Sequence, residues 1–277
     1  MKSGNPAWSV ASYYGWLLCV PQSPAMWYFL DPAFSKNPPL ILLFVVSLAV
    51  VIFIRYALAS ILYKWAMSNA GAGSRNSFHK KRYQIMRELK WASLSSIVFA
   101  VLCALSVILY HRGWTKIYTD VDDHSILYLV LSPILVLAAY ETYYYWLHRL
   151  MHHRSIFKIV HRVHHESMEP TVFSAFSFHP LEAFLQFIFF PIIIAVMPLH
   201  LGALATVFTI LTVSAMINHA GVEVYRNGWI LKHIIGSSHH DVHHREFKAN
   251  FGLHLTWWDN AMKTSSQNNK PKKIEQR

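Results

Sequence analysis

Long hydrophobic runs alternate with short polar segments along this chain of 277 residues. A helix that spans a bilayer needs about 20 predominantly apolar residues. The sequence offers candidate spans at residues 39–62, 93–110, 126–147 and 181–217. The last span is broken by prolines and is long enough for a two-helix hairpin turning near residues 198–202, although its prolines would also suit a kinked re-entrant segment. The pattern predicts an all-α integral membrane fold with about four to five transmembrane helices.

The polar segments divide the chain into four predicted regions. Residues 1–38, which are rich in tryptophan, tyrosine and proline, are expected to lie at the membrane interface. Residues 39–125 are expected to form a first transmembrane hairpin with a basic loop. Residues 126–264 carry the candidate chemistry, and residues 265–277 form a polar tail. The N-terminus lacks a basic region followed by an unbroken apolar core, so we expect no secretory signal there.

The composition supports a membrane protein, since 54% of the residues are hydrophobic and 14% are charged. The two cysteines, Cys19 and Cys103, are too few for a disulfide framework and are expected to be small core residues. A formal net charge of +11 could indicate a nucleic-acid partner. A nucleic-acid binder would not need the apolar spans, so we expect no such partner.

The basic residues are concentrated on one side of the predicted membrane. Residues 63–92 contain seven lysines and arginines but a single acidic residue, Glu88, and the histidine-bearing segments are also basic. The loop 111–125 has two basic and three acidic residues. By the positive-inside rule, the basic segments face the cytoplasm, and the histidine clusters with them. We therefore expect a cytosolic, histidine-rich helical cap.

Three histidine clusters lie at the ends of apolar segments. On a helix, residues at positions i, i+3 and i+4 share a face, so the imidazoles of each cluster can converge. Eight or more neutral nitrogen donors exceed what one metal ion accepts, which favours two metal ions held close together. The clusters are HRLMHH with His148, His152 and His153, HRVHH with His161, His164 and His165, and HDVHH with His240, His243 and His244.

A non-catalytic interpretation stays open at this point. A histidine-rich tract can be a loose metal-collecting loop, as in a membrane transporter or sensor. The aromatic and apolar flanks and the recurring spacing favour a built site instead. Ionisable residues are also scarce within the spans, whereas a transporter would be expected to line several of them.

Five further residues are candidates for the site. Glu141 lies two helical turns before His148 inside an apolar span, where a carboxylate is costly and marks function. It is predicted to be an outer-shell partner that accepts a hydrogen bond from a metal-bound imidazole. The alternative is a polar interfacial position without histidine contact. His179 precedes one span and His219 follows another, so either could complete a coordination shell. Asp241 and Asp259 are weaker candidates for the partner role.

The motifs HRLMHH, HRVHH, SFHPLEAF, INHAG and SSHHDVHHREFKANFGLHLTWWD resemble the membrane-bound fatty acid hydroxylase superfamily, and its sterol desaturase branch most of all. The resemblance covers about the last half of the chain, from near Glu141 to Thr264. It implies a helical membrane fold with a cytosolic di-iron site. It also favours His153, His179 and His219 as ligands. His254 lies outside the family pattern and has no predicted role.

The resemblance implies an oxygen-dependent oxidase that attacks an unactivated C–H bond of a lipid. Redox-inert zinc cannot supply the oxidant, whereas two irons with O2 and two added electrons can. The chain shows no haem or flavin module, so the electrons would come from a separate cytochrome b5-like or ferredoxin-like protein with its NAD(P)H reductase. A sterol-like substrate is favoured, either by C5-desaturase-like desaturation or by hydroxylation. The alternatives are a fatty acyl, alkylglycerol or carotenoid substrate. The expected location is the endoplasmic reticulum in a eukaryote or the cytoplasmic membrane in a bacterium.

Overall fold

A computed structural model describes residues 52, 56–65, 68, 78–225 and 227–266. The predicted interfacial segment, most of the first predicted span and most of the polar tail lie outside these residues. Residues 56–65 are helical, and ten named helices follow. These helices are α1 (Phe78–His111), α2 (Ile126–Met151), α3 (Arg154–Val160), α4 (Arg162–His165), α5 (Pro180–Phe187), α6 (Phe189–Val196), α7 (Leu201–Asn218), α8 (Gly228–His233), α9 (Ser237–Glu246) and α10 (Trp257–Ala261). The predicted all-α class is confirmed.

Three of these helices, α1, α2 and α7, are long and apolar enough to cross a membrane, and α5 with α6 forms a shorter apolar stretch. Many outward-facing side chains of these helices are apolar, as expected for helices in contact with lipid. On α2 the side chains of Ile126, Leu127, Val130 and Ile134 each expose more than half of their surface. Exposed apolar faces of this extent mark contact with a membrane or a partner. The predicted count of four to five spans stays a prediction.

Helix α1 begins well before its predicted span. The charged residues 82–90, which the sequence assigned to a basic loop, continue the helix toward the N-terminus. The physical reason is that no proline or glycine interrupts residues 78–112. The helical backbone hydrogen bonds of the apolar span therefore continue into the polar stretch. The helix ends before Gly113, which has a φ of 69° that favours glycine.

The predicted hairpin is present between residues 180 and 218. Helices α5 and α6 lead into a two-residue strand, β2 (Leu199–His200), which pairs in parallel with β1 (Ile117–Tyr118) before α7 returns. Tyr128, near the start of α2, donates a hydrogen bond to the carbonyl of Pro198. The strand pair therefore lies at the end of the helices opposite His148, which is near the end of α2.

A buried apolar cluster joins the membrane helices. Tyr140 and Tyr144 of α2 pack with Phe190 and Ile194 of α6 and with Val207 of α7. Aromatic side chains bury large areas and resist compression, so they fix the spacing between these helices. The short helices α3, α4 and α9 form a cap at the histidine end of this bundle.

Helix α9 is positioned by a carboxylate at its N-terminal end. The backbone N–H and the hydroxyl of Ser238 both donate to Glu223. Gly236 precedes the helix, and a Cβ there would lie 2.5 Å from Glu223 Oε1. A glycine is therefore required for the carboxylate to reach the end of the helix.

Glu88 ties α1 to the segment that follows α4. Its carboxylate is fully buried and accepts hydrogen bonds from the hydroxyls of Ser167 and Thr171 and from the amide of Gln84. Because both hydroxyls belong to the segment directly after His165, this residue fixes where the cap meets α1.

We predict that Glu88→Ala destabilises the protein in detergent, because it leaves two buried hydroxyls without their acceptor at a cost of about 1–3 kcal/mol for each unpaired group. The melting temperature measures the effect. Glu166→Ala is the control, since Glu166 is partly exposed and its ion pairs with Arg87 and Arg162 span 3.7 and 3.8 Å. Such pairs contribute about 0–1 kcal/mol. Equal melting temperatures for the two variants would contradict the prediction.

Candidate metal centre

Nine histidines from four separate segments converge inside the cap. They fall into two groups. Within each group, the candidate ligand atoms all lie within 4.8 Å of one another. The five-histidine group contains His148, His152, His161, His165 and His243, and the four-histidine group contains His164, His219, His240 and His244. Eight of the nine are buried, and His152 is partly exposed.

The two groups are adjacent. The chain places neighbouring histidines of α4 in different groups, since His164 joins the four-histidine group and His165 the five-histidine group. The pair His243 and His244 of α9 is divided in the same way. The rings of His165 and His244 lie 4.6 Å apart between centroids. The doubled histidines of these two helices therefore hold two sites side by side.

In the five-histidine group the ε nitrogens face one another. The Nε2 atoms of His148 and His161 are 3.0 Å apart. Those of His152, His165 and His243 are each 3.1 Å from one another. In the four-histidine group, Nε2 of His240 lies 3.1 Å from Nε2 of both His219 and His244.

The δ nitrogens show which ε nitrogens lack a proton. Nδ1 of His148 is 2.8 Å from the carbonyl oxygen of Phe251, and Nδ1 of His243 is 2.7 Å from that of Ala249. Nδ1 of His219 is 2.7 Å from the carbonyl oxygen of Ala215. A carbonyl only accepts, so each Nδ1 carries the proton and, in a neutral ring, each Nε2 presents a lone pair.

The cap environment keeps these rings neutral. Burial lowers the pKa of His161, His164 and His165 well below the usual range, and the neighbouring imidazoles lower it further. The pKa values of the three α9 histidines, His240, His243 and His244, are lowered for the same reasons. Neutral imidazole is the form that binds a metal ion.

This geometry fits metal ions better than hydrogen bonds. Two lone pairs about 3 Å apart repel unless a cation lies between them. A metal ion about 2.1 Å from each nitrogen, with ligands at right angles, holds neighbouring nitrogens about 3.0 Å apart. The observed separations match this value. Five imidazoles in one group and four in the other therefore suit two ions.

Two of the predicted ligands lie elsewhere. Nδ1 of His153 accepts a hydrogen bond from the backbone N–H of Ser155 and caps α3. Nδ1 of His179 accepts one from Leu181 and caps α5. The structure does not bring either residue into the two groups. Both are the first residue before a helix, where a side-chain acceptor satisfies a free backbone N–H.

Glu141 does not contact His148, so its predicted role as the partner of that ring is wrong. Its carboxylate accepts hydrogen bonds from the backbone N–H groups of Leu253, His254 and Leu255 and contacts Nδ1 of His254 at 2.8 Å. The predicted interfacial alternative is also wrong, since Glu141 is buried against a histidine. A carbonyl takes the predicted role, because the backbone after α9 passes closer to His148 than Glu141 does.

Glu141 and Asp259 together hold residues 251–255, which we call the closing segment. Asp259 accepts hydrogen bonds from the backbone N–H groups of Phe251 and Gly252. These bonds fix the Phe251 carbonyl that orients His148. Both carboxylates thus support the centre through the backbone. Asp241 instead pairs with Arg245 on α9, at 2.6 Å.

Glu182 is the residue that sequence reasoning missed. Its Oε1 lies 2.8 Å from Nδ1 of His161, and both side chains are fully buried. A carboxylate within an apolar segment marks function, which is why the sequence singled out Glu141. The same argument applies to Glu182, which lies at the start of an apolar stretch. The sequence alone gave no means of deciding which carboxylate meets a histidine.

An apolar cavity of about 520 Å³ reaches the four-histidine group between α1, α2, α5, α6 and α7. His164 and His219 form part of its wall, and the aromatic wall includes Phe176, Phe187, Phe190 and Phe208. Its size lies within the usual range for ligand sites. Among the described residues that line it, none is an aspartate, glutamate, lysine or arginine.

Comparisons with known proteins agree with this geometry. Residues 133–264 match the fatty acid hydroxylase family model. The chain is 32% identical over 149 residues to a Delta(7)-sterol 5(6)-desaturase of Gibberella zeae, covering 54% of this chain and 46% of that protein. It is 32% identical over 179 residues to the lathosterol oxidase of Homo sapiens, covering 64% and 59% of the two chains.

A Delta(7)-sterol 5(6)-desaturase of Aspergillus fumigatus is 29% identical over 197 residues, covering 64% of this chain and 61% of that protein. The chain thus spans between about half and three fifths of the length of these relatives. No solved structure matches it significantly. With its membrane helices and paired histidine groups, the chain is an integral membrane protein that resembles the fatty acid hydroxylase family over residues 133–264.

Proposed function

We propose that this protein is an oxygen-dependent di-iron oxidase that acts on an unactivated C–H bond of a membrane lipid. The observation that carries the proposal is a pair of adjacent histidine groups, of which the four-histidine group borders an apolar cavity. The five-histidine group would hold one iron and the four-histidine group the other. When bound, the two irons would supply the oxidising power that O2 and two external electrons provide.

The protein's own side chains would position the lipid and exclude water. The aromatic wall, with Phe187 stacked on Phe208 at 5.6 Å, leaves few polar groups to hold solvent near the four-histidine group. The rings of His164 and His219 face the same space. A lipid that fills the cavity therefore brings its apolar carbons next to this group, which is the positioning that such a reaction requires.

A sterol is the substrate we propose, with desaturation at C5 as the reaction. Two of the relatives are named Delta(7)-sterol 5(6)-desaturases and another is named lathosterol oxidase. The cavity supports a neutral, rigid and largely apolar molecule. A free fatty acid would have to keep its carboxylate outside, because burying an unpaired charge is costly.

Hydroxylation of a fatty acyl chain is the second candidate. The description of the matching family model favours it. An acyl chain whose headgroup stays at the cavity mouth would also place only apolar carbons against the wall.

We further propose that the cap faces the cytoplasm, following the excess of basic residues on that side. Electrons would then come from a separate cytosol-facing carrier of the cytochrome b5 or ferredoxin type. His152, the partly exposed member of the five-histidine group, would mark the side of the centre nearest to that carrier.

Expression in a host that lacks sterol C5-desaturase should test the substrate. We expect the 5,6-unsaturated sterol to appear in the host's lipid extract. The matched control is the same host expressing His243→Ala. Unchanged sterols together with newly hydroxylated acyl chains would support the second candidate and contradict the first.

We predict two iron atoms per chain, because the two groups offer five and four imidazoles. Metal analysis of anaerobically reconstituted protein provides the measurement. His161→Ala and His240→Ala should each reduce the content toward one. A wild-type content near one after reconstitution with ferrous iron would contradict the two-metal proposal.

We predict that His164→Ala or His243→Ala abolishes turnover and leaves the protein inserted in the membrane. The spans satisfy their own backbone hydrogen bonds without a metal ion. Sterol conversion and membrane fractionation give the two readouts. His111→Ala is the control, since His111 ends α1 at the opposite end of the bundle and should keep near-normal activity. Retention of half the activity by His243→Ala would exclude it as a required ligand.

A further inference from the structure

Contact with Glu182 distinguishes the five-histidine group from the four-histidine group. Among the described residues, His161 is the one member of the nine whose ring contacts a carboxylate, Oε1 of Glu182 at 2.8 Å. The rings of His148, His219 and His243 contact backbone carbonyls instead. The other buried carboxylates described above, including Glu88 and Glu141, hold backbone, hydroxyl or amide groups of the scaffold. Glu141 also contacts the ring of His254, which belongs to neither group.

The surroundings of Glu182 are unusual for a buried carboxylate. Its relative exposure is 0%, and its described ion-pair partner is His161. Gln186 donates a second hydrogen bond to Oε1 at 3.0 Å, whereas Oε2 has no described hydrogen-bond partner. A buried carboxylate keeps its charge only where a positive charge or several donors offset its desolvation, and otherwise it takes up a proton. A cation bound at Nε2 of His161 would supply that charge through the ring.

A carboxylate behind a metal-bound imidazole fixes the ring and strengthens its nitrogen as a donor. A backbone carbonyl fixes the ring as well, but brings no full charge. The five-histidine group therefore combines one more imidazole with a buried anionic partner. The four-histidine group has neither, and it faces the cavity.

We propose that Glu182 is a positioning residue that acts through His161 to make the five-histidine group the tighter of the two metal sites. This inference rests on the proposed two-metal function. The more weakly held ion would then be the one beside the lipid. Gln186 lines the same cavity and steers Oε1 toward His161, so the support for the tighter site is anchored in the cavity wall.

The test compares Glu182→Gln with Glu88→Gln in the full-length protein in detergent. Both changes replace a buried carboxylate with an amide of the same shape, but Glu88 touches no histidine of either group. Anaerobic titration with ferrous iron measures both binding constants. We expect Glu182→Gln to weaken the tighter site by roughly 10- to 100-fold, the usual scale for losing such a partner. The weaker site and the Glu88→Gln protein should keep wild-type affinities.

Two further readouts separate positioning from a structural role. In Mössbauer spectra of the 57Fe-loaded protein, Glu182→Gln should shift the signal of one ion and leave the other unchanged. In a His161→Ala background, Glu182→Gln should cause no additional loss of affinity, because residues that act through one contact are not additive. If Glu182→Gln fails to fold, Glu182→Asp replaces it, since a side chain one methylene shorter withdraws the carboxylate from His161.

Several outcomes would overturn the inference. Unchanged affinities, equal losses at both sites, or an additional loss in the His161→Ala background would each show that Glu182 does not act through His161. These results are distinct from failure of the proposed function. A wild-type protein that binds one ion or none contradicts the two-metal proposal itself, whereas two ions with an unaffected Glu182→Gln variant contradict only the role of Glu182.

Discussion

The mutual repulsion of imidazole lone pairs is the constraint on which the rest of this structure depends. Nine histidines present their ring nitrogens to two small volumes, and the backbone carbonyls of Phe251, Ala249 and Ala215 fix which nitrogen is unprotonated in three of them. Two unprotonated nitrogens that face each other cannot form a hydrogen bond. The centre is therefore built for cations, and the scaffold must hold the rings together before any cation binds.

The scaffold achieves this with carboxylates that act at different distances from the centre. Glu223 fixes the start of α9, and Glu141 and Asp259 fix the closing segment. Glu88 fixes the segment after α4, and of these five carboxylates Glu182 alone contacts a ring of the two histidine groups. Each carboxylate is held by backbone N–H groups, hydroxyls, an amide or an imidazole, which offsets part of the cost of its burial. Few acidic residues occur in the chain, and these five all hold the cap or its histidines.

The cavity and the metal centre depend on the same helices. Tyr140 and Tyr144 of α2 line the cavity, and one turn further on His148 belongs to the five-histidine group. Helix α7 contributes Phe208 to the wall and ends next to His219. Because rigid helices carry both features, the distance between the cavity and the two histidine groups is set by helix packing.

The sequence by itself determined the helical membrane class and eight of the nine converging histidines, because apolar length and i, i+3, i+4 spacing are local properties. For residues 181–217 it left a hairpin and a re-entrant segment open. His219 was a candidate that spacing could not rank. Only the tertiary structure decided that His153 and His179 cap helices, that Glu141 holds the closing segment and that Glu182 meets His161. Those outcomes depend on which segments, distant in sequence, meet at the end of the bundle, and hydrophobic periodicity carries no information about such meetings.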